Sequence, residues 1–354
     1  MAETLAGRYS GHIRKKRLIG LLLLGVLAVS MILSLGTGSY PLTLGDMTAV
    51  LQGHSNEMTR HILLNIRLTR TCSGLAAGAC LGMAGTIMQN VMKNPLASPF
   101  TLGVSQGAAF GAAFAIIILG AGSLHLSGSG PAVIASPWLM AAAAFTGSLV
   151  TVSLLVLLSS LRQMTPESLI LSGVALSAFF GAATMLLQYF ASDIQVAASV
   201  FWTFGDLGKA TWREIIIIMV LMIAALFYFY ANRWNYNALI WGDEAASSLG
   251  VNVTKLRFFS LVVAALISAV TIAFLGIIGF IGLMAPHLMR LLIGQDNRFL
   301  LPYAALSGAV LLVISDVLAR RLIAPIVLPV GILTSFAGVP LFLYLLVCKR
   351  GIGR

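Results

Sequence analysis

The stretch FFSLVVAALISAVTIAFLGIIGFIGLMAPHLMRLLI, residues 258–293, carries a single charged residue and is far too long for one membrane crossing. As one helix it would extend about 54 Å at about 1.5 Å per residue. A bilayer core is about 30 Å thick and is crossed by about 20 apolar residues. The glycines at 276 and 279 offer a break in the middle. The stretch therefore predicts two membrane spans joined at Gly276 to Gly279.

The rest of the chain has the same character. Of its 354 residues, 59% are apolar and only 9% are charged, and the mean hydropathy is +0.97. These values exclude a soluble globular domain. We predict an all-α polytopic membrane protein with ten transmembrane helices, forming a single transmembrane domain over residues 1–354. The spans are expected near 18–36, 70–90, 101–120, 138–160, 166–190, 214–231, 258–275, 277–293, 301–319 and 328–347.

The distribution of basic residues predicts the orientation of the bundle. With both termini inside, only seven of the 22 Lys and Arg residues fall on the outer side, and the remaining 15 fall inside. The seven are Arg60, Arg67, Arg70, Lys209, Arg213, Arg320 and Arg321. Because cytoplasmic loops carry the excess of Lys and Arg, we expect a cytoplasmic tail at 1–17, a cytoplasmic segment at 233–257 and a cytoplasmic tail at 349–354.

The sequence offers no sign of catalysis. It contains no G-x-x-x-x-G-K-[ST], H-E-x-x-H or G-x-S-x-G motif, and its histidines and cysteines lack metal-ligand spacing. We predict no catalytic residue, no cofactor and no metal site. The net charge of +11 is spread over both sides of the membrane, which argues against nucleic-acid binding. The spans carry no acid in mid-span, which disfavours proton or sodium coupling.

One segment interrupts the apolar pattern: ALIWGDEAASSLGVNVTKLR, residues 238–257. Asp243 and Glu244 suit the positive end of a helix dipole, Ala245 to Leu249 can form about two turns, and Gly250 can provide a left-handed stop. An ordinary solvated loop explains the residues equally well. A helical bundle without an energy source, carrying a small-residue cytoplasmic helix, is typical of a translocation subunit driven by a separate motor.

Longer blocks resemble a known family. IRLTRTCSGLAAGACLGMAGTIMQNVMKNPLASPFTLGVSQGAAFG (66–111), LILSGVALS (169–177), GDEAASSLGVNV (242–253) and the region from 279 to 346 are similar to the permeases that import iron chelates, haem and cobalamin through type II ABC importers. The resemblance runs from about residue 20 to 349. It implies a cobalamin-permease-like bundle in the inner membrane of a prokaryote. The implied partners are a second permease subunit, identical or related, two ABC ATPase subunits and an extracytoplasmic substrate-binding protein.

The resemblance also implies roles for individual residues. It assigns ATPase coupling to Gly242, Asp243, Glu244, Ala245, Ala246, Leu249 and Gly250. It assigns docking of the binding protein to Arg67, Arg70 and Arg320, which we expect to be exposed and to pair with carboxylates. Snorkelling at the membrane edge is the alternative for any one of these arginines.

Three further expectations concern the path through the membrane. The turn RQMTPES (162–168), with Thr165, Pro166 and Glu167, resembles the cytoplasmic gate, although a plain interhelical turn explains it equally well. Ser172, Gly173, Ser177 and Met185 of the fifth span are expected to line the path. Residues 192–212 are expected to form a short external helix with Trp202 and Trp212 at interface depth.

The cargo is the least determined property. Ferric siderophores are the expected cargo, haem and cobalamin are alternatives, and oxyanions such as molybdate rank lower. A stand-alone secondary transporter or channel is a more distant alternative. Selectivity is expected to lie in the binding protein, because the spans supply no dedicated metal ligands.

Overall fold

The structure is a computed structural model that describes residues 2–38, 40–121, 124–125, 133–134, 136–161 and 166–348. Its helices, in chain order, are α1 (Ala2–Gly36), α2 (Leu44–Leu51), α3 (Glu57–His61), α4 (Leu68–Val91), α5 (Val104–Ile117), α6 (Pro137–Leu161), α7 (Pro166–Tyr189), α8 (Asp193–Thr203), α9 (Trp212–Ala231), α10 (Arg233–Leu239), α11 (Asp243–Ser248), α12 (Val253–Leu275), α13 (Ile281–Ile293), α14 (Asn297–Arg321) and α15 (Val330–Cys348). A π-helical segment, Ile62–Arg67, joins α3 to α4, and a 3-10 turn, Leu207–Lys209, precedes α9. Two short strands, β1 (Leu124–His125) and β2 (Val133–Ile134), pair antiparallel.

The ten predicted spans correspond to helices of the described chain. Seven helical stretches are long and apolar enough to cross a membrane, and α5, α13 and α15 contribute three shorter apolar helices. Each of the ten overlaps its predicted span. The main difference is α1, which begins at Ala2 rather than near residue 18. Residues 2–17 include Ala, Leu, Arg and Lys and no proline, so they continue the helix of the first span.

The joint between α12 and α13 is where the sequence predicted it. Gly276 has φ +79°, and Phe280, a non-glycine residue, has φ +63°. The end of α8 and the residues just after it, 203–206, form backbone hydrogen bonds with this joint and with the start of α15. The amide of Asp206 donates to the Leu275 carbonyl (2.9 Å), the amide of Ile277 to the Thr203 carbonyl (3.2 Å), and the amide of Gly331 to the Gly205 carbonyl (3.2 Å). Irregular backbone inside a bundle is stable only when its polar groups are paired in this way.

Glycines bring the central helices into backbone contact. A Cβ added at Gly78 would lie 2.3 Å from the Gly308 carbonyl oxygen, and one at Gly82 would lie 2.3 Å from that of Ala304. At Gly85 the distance to the Gly282 carbonyl oxygen would be 1.8 Å. Without hydrophobic attraction between helices in lipid, such close van der Waals contact drives helix association. The glycines of the second span are therefore packing residues.

The spans divide into central and peripheral helices. In α4 and the segment before it, 89% of the apolar window is buried, and α12 and α14 follow with 67% and 61%. By contrast, only 11% of the α7 window and 22% of the α9 window are buried. The core is therefore built on α4, α12 and α14, while α7 and α9 present most of their surface outward.

Candidate functional site

The segment predicted to couple to the ATPase, residues 233–257 and called the coupling segment below, lies at the end of the bundle where α4 ends. Its helix α11 runs from Asp243 to Ser248, which is the helical one of the two interpretations that the sequence left open. Gly242 has φ +116° and Gly250 has φ +83°, a region that L-residues with side chains avoid. The amide of Val251 donates to the Ala246 carbonyl (3.0 Å), which closes the helix end. The segment is a short helix with glycine at both boundaries, and not a plain loop.

Asp243 fastens α11 to the end of α4. Its carboxylate accepts the ammonium of Lys93 at 2.7 Å and the Arg257 guanidinium at 3.2 Å. The Nε of Arg257 donates in turn to the Val91 carbonyl (2.8 Å). Burial alone would raise the pKa of Asp243, but the hydrogen bond from Lys93 and the charge of Arg257 outweigh it, so the pKa lies below its ordinary value. The carboxylate is ionised at neutral pH and holds both cations.

A second set of contacts ties α10 to the same end. The side-chain amide of Asn90 donates to Asn297 (2.6 Å), and that of Asn297 donates to Asn237 of α10 (3.0 Å). Asn237 also donates to Asp296 (3.0 Å). Burial raises the pKa of Asp296, yet hydrogen bonds from Arg298 and Asn237 outweigh this and bring it to about 2. The coupling segment is thus joined to α4 and to the start of α14 on both sides of α11.

The exposed surface of the segment differs from the predicted one. Ala246, expected to touch the ATPase, is fully buried within this chain. Its methyl group faces inward because α11 lies against the bundle. The large exposed side chains are instead Trp241 (83% exposed) before the helix and Leu249 (71%) after it, together with Trp234 and Ile240 earlier in the segment. Sequence reasoning included Leu249 and missed Trp241. The sequence did contain a signal for Trp241, because it is a large aromatic residue within the segment that interrupts the apolar pattern with charged and polar residues.

The three predicted docking arginines form an internal cluster at the opposite end of α4. Arg70 pairs with Asp316 (2.7 Å) and with Asp206 (2.8 Å). Arg320 pairs with Asp316 (2.9 Å), which is 1% exposed. Arg67 is 3% exposed and donates to the carbonyls of Leu35 (2.8 Å) and Tyr40. The expectation of exposed side chains was wrong, because the buried carboxylate of Asp316, the partly exposed carboxylate of Asp206 and several backbone carbonyls take up the guanidinium donors.

We call this group, Arg67, Arg70, Arg320, Asp206 and Asp316, the arginine cluster. Arg320 also donates to the Ser34 carbonyl (3.0 Å) and the Ser34 hydroxyl (2.7 Å). The cluster therefore connects the end of α1, the start of α4, the end of α14 and the segment after α8. Asp206 leads directly to the α12–α13 joint through its backbone bond to Leu275.

Comparison with known proteins decides the family. A family model described as the FecCD transport family matches residues 26–348, nearly the whole chain. The chain belongs to the FecCD transport family. It is a permease subunit of an ABC importer.

Individual relatives of this FecCD chain are also described as ABC transporter or transport-system proteins. It is 50% identical over 339 residues to the "Putative ABC transporter permease protein MJ0087" of Methanocaldococcus jannaschii, covering 96% of this chain and 97% of that one. It is 36% identical over 341 residues to the hemin transport system permease protein HmuU of Yersinia pestis, covering 96% and 98%. A solved structure described as "an inward-facing conformation of a putative metal-chelate type ABC transporter" aligns with TM-score 0.81 and 29% identity, covering 94% of this chain and 99% of that chain.

The residues proposed for the path of the FecCD chain do not share one face. A Cβ at Gly173 would lie 2.9 Å from the Leu102 Cα, so Gly173 packs against the segment before α5. The Ser177 hydroxyl donates to the Gly173 carbonyl (2.8 Å) and Ser172 to the Ser168 carbonyl (2.8 Å). Met185 is 70% exposed. Only Met185 presents a large outward surface.

The predicted gate turn of this FecCD permease is only partly described. Thr165 lies outside the described residues. Pro166 is the first residue of α7, and Glu167 follows it in the first turn. Proline is favoured at the start of a helix, where its missing N–H has no helical partner. The local prediction for Pro166 agrees with the helix start.

A cavity of about 600 Å³ lies beside the α12–α13 joint of the FecCD chain. Aromatic and small residues from separate segments line it, among them Phe100, Phe204, Gly279, Ser335 and Phe336. None of the described residues that line it carries a side chain charged at neutral pH. Among the described residues, no group of three or more His, Cys, Asp or Glu is arranged to hold a metal ion.

Proposed function

We propose that this permease subunit carries a ferric siderophore across the cytoplasmic membrane, driven by ATP hydrolysed on a separate subunit. The support is the FecCD family match, the likeness to a metal-chelate type transporter and an apolar cavity without strong ligands. The proposed assembly contains a second permease subunit, two ABC ATPase subunits and an extracytoplasmic binding protein. Both termini lie in the cytoplasm.

The coupling segment is the observation that carries the proposal. Trp241 and Leu249 are large apolar side chains exposed beside a short helix. Large apolar side chains that face water mark an interaction surface. Asp243 and Asn237 fasten the same segment to α4 and α14. Movement of a partner bound to Trp241 and Leu249 is therefore transmitted to α4 and α14. We propose an ATPase groove as that partner, with Gly242, Asp243, Glu244 and Ala245 at its margin.

The opposite end is proposed to receive the binding protein. The arginines of the cluster cannot reach a partner's carboxylates without giving up their internal bonds. Their proposed role in docking is therefore to fix the end of α14 and the segment 203–209 as a rigid platform. The exposed cation Arg321 lies beside that platform and is placed to steer an acidic partner.

The gate and the path remain proposals of the same kind. The turn that contains Thr165 and leads through Pro166 into Glu167 is proposed as the cytoplasmic gate. The exposed face of α7, represented by Met185, is proposed to line the path together with the cavity at Phe336. Because α7 is the least buried span, it can shift with little loss of packing.

Haem is a second candidate cargo. The observation that favours it is the 36% identity to a hemin permease along nearly the whole chain. The deciding measurement is uptake into proteoliposomes that contain the permease, its ATPase and its binding protein. Ferric siderophore is expected to accumulate with ATP, while haem and cobalamin do not. Accumulation of haem alone would establish the alternative, and accumulation without any ATPase would overturn the importer itself.

The coupling contact has its own test. Trp241→Ala and Leu249→Ala are expected to weaken co-purification with the ATPase and to reduce ATP-driven uptake. Ser247→Ala, an exposed change on the same helix, is the matched control. Normal assembly and uptake in both large-to-small variants would rule out this surface as the ATPase contact.

A further inference from the structure

A second cavity lies at the arginine-cluster end and has a different lining. Its volume is about 610 Å³, within the range of about 300–1,000 Å³ typical of ligand sites. It is bounded by α8, the end of α5, the start of α6 and the end of α12. Ile194, Ala197, Phe201, Trp138 and Phe274 form apolar walls. We call it the α8 crevice.

Two cations border this apolar space. Lys209 lines the crevice itself, and the guanidinium of Arg213 stacks 4.6 Å above the ring of Trp138 at its wall. The Lys209 ammonium donates to the carbonyls of Trp202 (3.0 Å) and Phe204 (2.8 Å). An ammonium has three donors, so one remains for a ligand. In the described part of the chain, no carboxylate lies within ion-pair distance of Lys209.

The acids near the crevice are committed elsewhere. Glu214 also lines it, but its carboxylate accepts the amide of Thr211 (2.8 Å) and the Thr211 hydroxyl. Asp206 is engaged with Arg70 (2.8 Å). The lining itself holds one cation, Lys209, and one acid, Glu214, and Arg213 over Trp138 adds a second cation at its border. The crevice combines an apolar interior with a net positive mouth.

The depth of the crevice points to lipid. Tryptophan is enriched where hydrocarbon meets head groups, and Trp138 and Trp212 are both partly exposed at this end. A ligand that matches an apolar slot and a cationic mouth at this depth has a hydrocarbon chain and an anionic head group. We propose that the α8 crevice binds one acyl chain of an anionic phospholipid, with the phosphate held by Lys209 and Arg213.

An occupied crevice would have a mechanical effect. The acyl chain would lie between α8 and the core helices and would hold α8 in place. The last residue of α8, Thr203, accepts the amide of Ile277 at the α12–α13 joint, and Gly205 just after α8 accepts the amide of Gly331 at the start of α15. The lipid would therefore set the position of a segment that borders the first cavity.

The test compares two lipids that differ in charge. The purified permease is incubated in detergent with phosphatidylglycerol or with phosphatidylcholine of identical chains, and retained lipid is counted by native mass spectrometry. Wild type is expected to retain the anionic lipid preferentially. Lys209→Gln and Arg213→Gln should each lower that preference about fivefold, the contribution of one basic residue near a membrane surface. Lys209→Arg and Arg213→Lys should preserve it.

Two further variants separate the head group from the chain. Ala197→Trp fills the crevice and is expected to reduce retention of both lipids, whereas Lys255→Gln, an exposed change at the coupling end, is expected to change nothing. Equal retention of the two lipids by wild type would overturn the proposal, as would unchanged retention in Ala197→Trp. Complete displacement of phosphatidylglycerol by inorganic phosphate would show an anion site without a chain-binding crevice, and would also overturn it.

Discussion

Asp316 is the side chain whose removal should damage the arginine cluster most. It is 1% exposed and pairs with Arg70 at 2.7 Å and with Arg320 at 2.9 Å. Removing one partner from a buried ion pair costs about 3–5 kcal/mol, because the remaining charge is left uncompensated. In Asp316→Asn, Arg70 keeps Asp206, and Arg320 keeps the carbonyls of Ser34 and Thr37. We therefore expect the lower end of the range, about 3 kcal/mol.

The assay is unfolding of the purified permease in detergent, followed by tryptophan fluorescence, with Glu57→Gln as an exposed acidic control. A double-mutant cycle between Asp316→Asn and Arg320→Gln should show strong coupling. A loss below about 0.5 kcal/mol in Asp316→Asn, the range of ordinary surface changes, would refute the buried-pair reasoning. If Arg320→Gln kept full stability and lost only affinity for the binding protein, the original expectation of direct docking would be restored.

Three other perturbations test separate parts of the fold. Gly85→Ala should lower the stability of the fold by about 1–3 kcal/mol, because the added methyl group overpacks against a backbone carbonyl. Gly181→Ala, whose added methyl group would meet nothing within 4 Å, should leave stability unchanged. Thermal unfolding of the two variants tests this difference. Asp243→Asn should cost only about 0.5–2 kcal/mol, since its two ion pairs are partly exposed, yet it should lower uptake per ATP hydrolysed; unchanged coupling would count against the proposed anchor. Burial lowers the pKa of Lys209 to about 8, with Asp206 opposing it. Because the unfolded chain keeps that proton up to about pH 10.4, stability should rise between these values as pH increases, and Lys209→Met should remove the rise.

The bundle itself was readable from the sequence. Bilayer thickness fixes the length of an apolar span, so hydropathy, together with the glycine break at 276–279, placed ten helices. The joint at Gly276 and the helix end at Gly250 were also predictable, because glycine adopts positive φ more readily than other residues. Both glycines have positive φ in the structure. These features depend on neighbours along the chain. Span length and glycine conformation can therefore be predicted without knowing the tertiary contacts.

The surroundings of charged and aromatic side chains were not readable. Arg70 and Asp316 are 246 positions apart in the sequence. The residues around an arginine near the end of a span do not show that it will pair with a buried carboxylate. Trp202 likewise was expected at the interface, yet it is 6% exposed and packs inside. Ala246 could have faced either way on a two-turn helix. These outcomes depend on which helices become neighbours.

The backbone contacts along α4 have a consequence for how such a permease changes over generations. Where Gly78 meets Gly308 and Gly85 meets Gly282, no larger side chain fits. The positions on α7 that face outward carry no such restriction, and Gly181 there is surrounded by open space. Substitutions can therefore accumulate on the outer spans while the central ones stay closed to them. A lineage of these proteins can therefore vary its outer spans by drift, with no need to rebuild the packed centre.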